Sequence, residues 1–412
     1  MLNKMNKKIL WIPIFAPYKS VKHAGGRTIF FYTTEMAKEE NVSLTIMSIC
    51  NKNEASHMRD DYNGGGATLR IIPLWERGFK RLIRMLMNFE SRFNCFNRNA
   101  GLLDNWSEYI ILKELKSLKK EQYNPDIIVL HFTQVVLLTN RIKRIFPLCK
   151  VVGIEEDVAF LGYQRKRDAA NSLFSKIKWG VRAKKLKEKE VQALNCVDLI
   201  VTNNQKDTNL LNKESISKPI MIYSVYYQSF YDLKRNYTGS HDILFYGAMN
   251  REENWMSVLW FVDNVLPRIK DKSIRLKVIG GNPHPSLLQL KSPQVEVLGF
   301  VEDISELFST AMCMVAPLIM GAGIKVKLLE GFSAGLPMIT NEIGIEGIPA
   351  INGVHYFHCT TAEDYENAIN KLLSGSVDIN AMSEKEKQLI KDNFSYHDTY
   401  ISLRERIKEI VS

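Results

Sequence analysis

A short stretch between residues 321 and 330 holds the residue types that phosphate and sugar recognition require. Gly321 and Gly323 flank a single residue, and Lys327 and Glu330 follow three positions apart. Residues at that spacing share one face of a helix, so an ammonium and a carboxylate would lie side by side. The ammonium suits phosphate oxygens and the carboxylate accepts from sugar hydroxyls. The pair therefore suits a diphosphate joined to a ribose; a glycine turn with a solvated ion pair is the simpler alternative.

The flanking residues predict the elements that would position this pair. Residues 311–318 form an unbroken apolar run, which is typical of a strand buried on both faces. From Ile324 apolar side chains recur at helical spacing until Gly335 and Pro337, and residues 337–340 can form a second strand. In this β-loop-α-β unit the helix N-terminus would direct free N–H groups at an anion beyond the first strand.

The whole string at residues 315–347 resembles the donor-binding segment of the family 4 glycosyltransferases, which have the GT-B fold. The resemblance rests on a glycine-rich loop, two basic residues, a Leu-Glu pair, a Gly-small-Pro turn and a later Glu-Gly pair, here Gly321, Gly323, Lys325, Lys327, Leu329, Glu330, Gly335, Pro337, Glu346 and Gly347. Many members carry another glutamate at the place that Ala322 holds here. The chain therefore resembles the subgroup with a Gly-rich loop in place of the first Glu of the paired-glutamate motif.

Alternating strand-like and helical stretches predict an α/β protein. Strand-like residues 8–15 lead through a loop at residues 16–27 into a helix that ends near Ala37, and similar alternation continues to residue 300. This alternation is typical of doubly wound parallel sheets. A turn-rich stretch at residues 226–240 marks a boundary. We therefore expect two Rossmann-like doubly wound domains facing a cleft, an acceptor-side domain at 1–225 and a nucleotide-sugar domain at 240–393, and the resemblance implies a helix at 394–412 that crosses back to the first domain.

Ligands of such sheets bind in the loops after the strands, and several of these loops carry informative residues. Gly25 and Gly26 follow the first strand, where glycines let the backbone approach a phosphate or a sugar. They do not form a GxGxxG motif, which disfavours a nicotinamide site. His131 ends a later strand, where a lone histidine is more often a satisfied interior residue than a ligand.

Three adjacent carboxylates follow the next strand. Glu155, Glu156 and Asp157 would repel one another, which raises the pKa of at least one of them and provides a general base for an acceptor hydroxyl. Glu156 or Asp157 suits this role better than Glu155. Simple hydration of all three is the alternative.

The family resemblance extends to these loops. It implies that Gly25 and Gly26 face the donor diphosphate or the acceptor and that His131, five residues after Asp126, contacts the donor sugar. It also implies a glycine after the first strand of the second domain, with a basic residue close by. The predicted donor contacts are Gly25, Gly26, Gly247, Arg251, Gly321, Gly323, Ile324, Lys327, Glu330 and Glu346, and the predicted catalytic residues are His131, Lys327, Glu330, Glu156 and Asp157.

The positive charge of the chain is concentrated in its first half. Residues 1–190 hold 34 Lys and Arg against 19 Asp and Glu, whereas the remainder holds 21 against 26, which gives the formal net charge of +10. Within residues 78–97, apolar side chains at helical spacing are bordered by basic ones, with Phe79, Leu82, Ile83, Leu86 and Phe93 on one stripe. Such a helix binds an anionic membrane surface or packs on its own domain. No nucleic-acid-binding motif accompanies the charge.

The composition also limits cofactors and localisation. The six cysteines form no CxxC pair, and no apolar run approaches the ~18–20 residues of a membrane span. We expect no metal or other cofactor, because the resemblance implies that a helix dipole and basic side chains neutralise the leaving diphosphate. We expect a cytoplasmic protein that is peripheral on the inner face of the cell membrane.

The resemblance implies a retaining glycosyltransferase with the GT-B fold. Its donor would be a nucleotide sugar, a UDP- or GDP-hexose, and its acceptor a lipid-linked or polysaccharide glycan of capsule, exopolysaccharide or lipopolysaccharide assembly. A nucleotide-sugar 2-epimerase or hydrolase of the same fold is one alternative. A non-catalytic sugar- or anion-binding module is another, and the alanine at position 322 favours it.

Overall fold

The structure, a computed structural model, describes residues 6–93, 99–237, 239–290, 292–321 and 323–410, with the backbone alone for residues 90–93. Ala322 and the last residues of the predicted segment 78–97 lie outside these ranges. The chain divides into two compact units, one of residues 1–226 with 396–412 and one of residues 227–395. The predicted domains cover 1–225 with 394–412 and 240–393, and the intervening residues 227–239 lie in the second unit.

Thirteen strands in the described residues form two sheets. The strands are β1 (Lys7–Pro13), β2 (Val42–Cys50), β3 (Ala67–Pro73), β4 (Ile127–His131), β5 (Lys150–Glu155), β6 (Leu199–Thr202), β7 (Ile220–Ile222), β8 (Asp242–Tyr246), β9 (Arg275–Ile279), β10 (Val295–Gly299), β11 (Cys313–Ala316), β12 (Met338–Thr340) and β13 (Tyr356–His358). The first sheet has the order β3-β2-β1-β4-β5-β6-β7 and the second has the order β10-β9-β8-β11-β12-β13. Neighbouring strands pair in parallel throughout. The predicted pair of parallel α/β sheets is confirmed.

Helices connect the strands and cover the sheets. They are α1 (Ala24–Ala37), α2 (Lys52–Asp61), α3 (Gly78–Phe93), α4 (Asn105–Lys120), α5 (Thr133–Val136), α6 (Thr139–Ile145), α7 (Ala159–Asp168), α8 (Leu173–Leu194), α9 (Gln205–Asn212), α10 (Glu252–Asn264), α11 (Pro285–Leu288), α12 (Ser305–Thr310), α13 (Val326–Ser333), α14 (Ala362–Leu373), α15 (Ile379–Asn393) and α16 (Tyr396–Glu409). None of the described helices is both long enough and apolar enough to cross a membrane.

The first unit has a hydrophobic core on each face of its sheet, because strand side chains alternate between the faces. Ile9 and Trp11 of β1 face a core that contains residues of α1, α2 and α16. Leu10 and Ile12 face the other core, to which α4, α5, α6 and α8 contribute. The last helix of the chain, α16, is thus part of the first unit.

One predicted boundary is wrong. The loop predicted at residues 16–27 ends earlier, because His23 caps α1 and accepts a hydrogen bond from the Gly26 N–H through its Nδ1 at 3.0 Å. An imidazole nitrogen satisfies one of the free N–H groups of a helix N-terminus as an aspartate or serine would. Gly25 and Gly26 therefore lie in the first turn of a helix and not in a loop.

Candidate active site

The loop between β11 and α13 holds two of the predicted glycines. Gly321 has a φ of 138° and Gly323 a φ of 69°, angles that side chains disfavour. Lys325 lies across the loop, and its Nζ donates to the Gly323 carbonyl at 2.5 Å and is 3.7 Å from a Glu346 carboxylate oxygen. Lys325 is also the N-cap residue of α13, so the predicted Ile324 lies just before the helix. The loop thus brings a lysine, a buried carboxylate and a helix N-terminus together.

Lys327 lies in the first turn of α13 and is enclosed by neighbouring elements. Its Nζ donates to Asn254 Oδ1 at 2.8 Å and lies 4.7 Å from the centre of the Phe245 ring. Burial, followed by the charge of Lys325, lowers the pKa of Lys327 to about 7. The ammonium therefore loses its proton near neutrality, and an anion placed beside it would raise the pKa again.

Asn254, in the first turn of α10, is a buried site residue that the sequence analysis does not identify. Its Nδ2 donates to the Ala248 carbonyl at 2.9 Å, and this bond turns Oδ1 toward Lys327. A side chain at Gly247 would collide with the same amide, at 3.0 Å from Nδ2. Asn254 follows the predicted Gly247 by seven residues, but its partner is distant in sequence, so no spacing rule reveals the contact.

Arg251, the predicted basic partner of the donor phosphate, lies in a different setting. Its backbone caps α10, its side chain is 66% exposed, and its Nε lies 2.6 Å from a carboxylate oxygen of Glu253. The guanidinium still contributes to the lowered pKa of Lys327. The structure therefore places Lys327, and not Arg251, against the buried amide.

Main-chain hydrogen bonds join the carboxyl ends of β8, β9 and β10. The Gly247 N–H donates to the Ile279 carbonyl at 3.0 Å, and the Gly280 N–H donates to the Gly299 carbonyl at 2.7 Å. Gly280 approaches so closely that a Cβ there would lie 1.7 Å from the Gly247 oxygen. The predicted Gly247 is therefore part of a backbone network in which glycine is required for space.

Glu330 lies three residues after Lys327 on α13 and is only 1% exposed. Its Oε1 accepts a hydrogen bond from the Gln228 N–H at 3.3 Å. Since Glu330 is buried and Lys327 donates to Asn254, the simpler alternative of a solvated ion pair does not describe these two residues. Lys327 and Glu330 instead belong to the interior edge of the second unit.

His131, in the first unit, has both ring nitrogens engaged inside the protein. Trp11 Nε1 donates to Nδ1 at 3.3 Å, so Nε2 carries the proton and donates to Glu156 Oε1 at 2.7 Å. The Tyr223 hydroxyl donates to the same carboxylate oxygen. His131 is fully buried. A contact between His131 and a sugar would require its bond to Glu156 to open.

The three adjacent carboxylates diverge in environment. Glu155 is fully buried and accepts from the Thr133 hydroxyl, and burial, with smaller contributions from Asp157 and Asp207, raises its pKa to about 8. Glu190, beside it, accepts from the N–H groups at the start of α7, and burial raises the pKa of that carboxyl too. A raised pKa is thus found as expected, but desolvation is its main cause and repulsion is secondary.

Gly25 and Gly26 lie where side chains of their own unit approach closely. A Cβ at Gly25 would lie 2.6 Å from the Phe132 ring, and one at Gly26 would lie 2.6 Å from Val21. Phe132 itself has a φ of 87°, which is strained for a residue with a side chain. Packing within the unit therefore accounts for both glycines, and a donor contact stays a prediction.

A cavity of about 220 Å³ lies beside this turn, at the carboxyl ends of β1, β2 and β3. Its lining includes the aromatic side chains of Phe15, Tyr18 and Trp106 and the polar side chains of Glu54 and Ser107. Aromatic faces and a few polar groups suit a small ligand with both apolar and hydroxyl surfaces. No sequence pattern predicts this cavity.

The predicted site residues form two groups, one in each unit. Gly247, Gly321, Gly323, Lys327, Glu330 and Glu346 lie in the second unit, at or near the carboxyl edge of its sheet, and His131, Glu156 and Asp157 lie in the first. Within the described ranges, no three His, Cys, Asp or Glu side chains are grouped to hold a metal ion. Independence from metal stays a prediction.

Comparisons with known proteins give a family match and several similar folds. Residues 240–375 match the family described as Glycosyl transferases group 1. A search of curated protein sequences found no match. Similar solved structures include sucrose-phosphate synthase from Thermosynechococcus elongatus, with a TM-score of 0.69 and 11% identity over 98% of this chain and 99% of that chain. TarM of S. aureus has a TM-score of 0.67 and 10% identity over the same shares of the two chains.

A third similar structure is that of Anabaena Alr3699/HepE in complex with UDP-glucose, with a TM-score of 0.65 and 10% identity over 98% of this chain and 99% of that chain. At these identities the likeness shows the fold. The likeness confirms the predicted fold, and the family match over residues 240–375 agrees with the resemblance seen in residues 315–347. The subgroup with a Gly-rich loop stays a prediction.

Proposed function

We propose that this chain transfers a hexose with retention from a nucleotide sugar to a lipid-linked or polysaccharide acceptor. The chain is a glycosyltransferase of the GT-B fold, and its residues 240–375 match the glycosyl transferases group 1 family. UDP-hexose is the preferred donor, because solved structures of similar fold contain UDP or UDP-glucose. The setting would be the cytoplasmic assembly of a cell-surface glycan.

The single observation that carries the proposal is the placement of Lys327. Its ammonium lies at the N-terminal turn of α13, beside the Gly321–Gly323 loop and against the Asn254 amide. Breaking the bond between the sugar and the diphosphate concentrates negative charge on the leaving oxygen. The helix N-terminus and Lys327 would stabilise that charge as it develops, which is how such sites accelerate transfer. Because the pKa of Lys327 is lowered to about 7, part of these side chains are neutral at neutral pH. Binding of the diphosphate would raise that pKa and so favour the charged ammonium.

The remaining donor contacts follow from the neighbouring residues. Glu330 would accept hydrogen bonds from the ribose, and Glu346, held near Lys325, would contact the hexose. The Gly344 N–H lies close by, donating to Asn341 Oδ1 at 3.0 Å. The backbone groups around Gly247 and Gly280 would contact the nucleotide base, so no side chain would determine which base binds.

The cavity in the first unit would hold the terminal sugar of the acceptor. Its volume of about 220 Å³ suits one monosaccharide, and its lining includes Phe15, Tyr18 and Trp106, aromatic side chains of the kind that pack against the apolar side of a sugar. The acceptor hydroxyl would bond to the anomeric carbon on the face that the diphosphate leaves. Its proton would pass to the departing phosphate oxygen.

A membrane setting is proposed from α3. Phe79 is 75% exposed and Leu86 is 65% exposed, and Leu82, Met85 and Phe89 are also exposed. Of the predicted stripe, only Ile83 is partly buried, and the Phe93 side chain lies outside the described residues. The exposure of these side chains supports the membrane alternative over packing of the stripe on its own domain. An anionic membrane surface would cover these side chains and pair with the adjacent Lys and Arg residues.

Calorimetric binding of UDP-glucose and GDP-mannose to the full chain tests the donor site. We expect UDP-glucose to bind and Lys327→Met to weaken it at least tenfold, because a charged hydrogen bond to phosphate is lost. Lys385→Met removes an exposed lysine of α15 in the same unit and should leave binding unchanged. Equal binding by Lys327→Met and the wild type would refute the assignment. Product analysis by NMR would then separate transfer from epimerisation or hydrolysis of the donor.

A further inference from the structure

Exposed apolar side chains are concentrated on two helices of the first unit. Of the seventeen large apolar side chains that are exposed in the described residues, nine lie on α3 and α8. Five form the α3 stripe (Phe79, Leu82, Met85, Leu86 and Phe89), and four form what we call the α8 stripe (Leu173, Phe174, Ile177 and Val181). A concentration of this kind marks an interaction surface, whereas scattered exposed residues do not.

The α8 stripe lies on the side of its helix that faces away from the protein. Phe174 is 78% exposed and Ile177 is 58% exposed, whereas the buried residues of α8 begin only at Ala183. At 100° per residue the four stripe positions span about 100° of the helix surface, roughly opposite to Leu186 and Glu190, which are fully buried. The first half of α8 thus presents an apolar face that no described part of the protein covers.

Helices α3 and α8 pack on the same side of the first sheet. Met87 of α3 and Leu186 of α8 pack against one hydrophobic core on the same side of the sheet. The loop before α4 connects them, because a Cβ at Gly101 would lie 3.8 Å from the guanidinium carbon of Arg182. The two helices are therefore linked by contacts on one side of the sheet.

Positive charge surrounds both stripes. Residues 165–185 hold eight Lys and Arg and one Asp, and residues 77–84 hold four Lys and Arg and no acid. Lys166, at the end of α7, packs directly on α8, since its Nζ lies 5.0 Å from the centre of the Trp179 ring. The guanidinium of Arg182, on α8 itself, lies 5.4 Å from the same ring. The same face of a second copy of this chain would present like charge and be repelled. An anionic membrane has an apolar interior beneath negatively charged headgroups, and it is therefore complementary to the apolar stripes and to the positive charge around them.

We infer that α8 is a second membrane-binding element, so that the first half of α8 and α3 together dock the enzyme on an anionic bilayer. The inference rests on the proposed function, in which α3 alone meets the membrane. The four side chains of the α8 stripe insert among the lipid headgroups, while the Lys and Arg residues of α7 and α8 bind the phosphates. Two helices fix the orientation of the unit on the surface, whereas one helix leaves it free to rotate.

Flotation of the full chain with vesicles tests this arrangement. The vesicles contain phosphatidylcholine alone or with 30% phosphatidylglycerol, at low and high salt. The α8 variant is Phe174→Ser with Ile177→Ser, the α3 variant is Leu82→Ser with Leu86→Ser, and the control is Leu148→Ser, which alters a side chain that is 97% exposed outside both helices. We expect each double variant to bind anionic vesicles at least tenfold more weakly than the wild type, and the control to bind normally. UDP-glucose binding should be unchanged in all variants.

Several results would overturn the inference. It fails if the α8 variant binds vesicles as the wild type does, or if the wild type binds neither vesicle. It also fails if the wild type binds neutral and anionic vesicles equally at all salt concentrations. If the wild type is a dimer that the α8 variant dissolves, a second copy is the true occupant. Absent UDP-glucose binding with normal vesicle binding would instead refute the proposed function alone.

Discussion

Nucleotide-sugar binding should be coupled to proton uptake by Lys327. Burial and the charge of Lys325 lower the pKa of Lys327 to about 7 in the ligand-free protein. In the proposed function, a bound diphosphate would place two negative phosphates against the ammonium and raise its pKa. The protein therefore takes up a proton when it binds a donor at alkaline pH, and little when it binds at acid pH.

The size of the effect follows from that pKa. At about pH 6 some nine in ten Lys327 side chains are already charged, whereas at about pH 8 only one in ten is. Proton uptake should rise from about 0.1 to about 0.9 per donor bound across this range, and affinity should fall about tenfold, or ~1.4 kcal/mol.

Isothermal titration in buffers of different ionisation enthalpy measures both quantities. UDP-glucose is the appropriate ligand, because free UDP has a terminal phosphate that itself titrates near pH ~6. Lys327→Met should bind weakly, with an affinity that does not change between about pH 6 and about pH 8, because the variant has no ammonium to titrate. Lys385→Met should behave as the wild type. No proton uptake by the wild type at about pH 8, with pH-independent affinity, would refute the reasoning.

Three further predictions concern single residues. Asn254→Ala should weaken UDP-glucose binding by roughly tenfold or more, because the ammonium loses a charged hydrogen bond of about 1.5–3 kcal/mol; titration calorimetry measures this, and unchanged affinity would contradict it. Burial raises the pKa of Glu155 to about 8, so its contribution to stability is fully present below the ordinary value and is lost as pH rises through 8. Glu155→Gln should therefore raise the melting temperature relative to the wild type at about pH 8 but not at about pH 4, and equal shifts in thermal melts at both would contradict this. Gly280→Ala should destabilise the chain by about 2–4 kcal/mol in urea titrations, because its Cβ would collide with the Gly247 oxygen, whereas Gly281→Ala, with nothing nearer than 3.7 Å, should be tolerated.

The β-loop-α-β unit was readable from sequence because its signals are local. The predicted strand at residues 311–318 contains β11, and the predicted helix and second strand correspond to α13 and β12 within a few residues. The helix begins two residues later than the apolar spacing indicates, since Ile324 precedes the N-cap Lys325. Periodicity gives an element and its type, but the cap that decides its first residue depends on backbone geometry.

Strands β3 and β13 show no recognisable strand pattern in the sequence, and the reason is physical. β3 is an edge strand in which most side chains are only partly buried, so its residues show neither an apolar run nor strict alternation. β13 has three residues and is likewise an edge strand. Both segments are strands because they pair with a neighbouring strand, and such pairing cannot be inferred from the pattern of residues in the segment itself.

The contacts inside the site depend on residues far apart in the chain. His131 meets Glu156 and Tyr223 because β4, β5 and the segment after β7 lie together, which no local pattern encodes. Lys327 meets Asn254 across 73 positions. The sequence therefore shows which residues have suitable chemistry for the site. Their hydrogen-bond partners and their burial, which set the pKa values, can be known only from the folded structure.

Helix α8 joins the outer surface of the first unit to its interior without a break. From Phe174 to Glu190 it runs sixteen residues, or about 24 Å at the usual rise per residue. One end carries the exposed stripe, and the other holds the start of α7 through Glu190, whose pKa is raised by burial and by the nearby Glu155. If the stripe docks on a membrane as we infer, a tilt of the outer end of α8 would also move its inner end, and with it the Glu190 carboxyl that binds the start of α7.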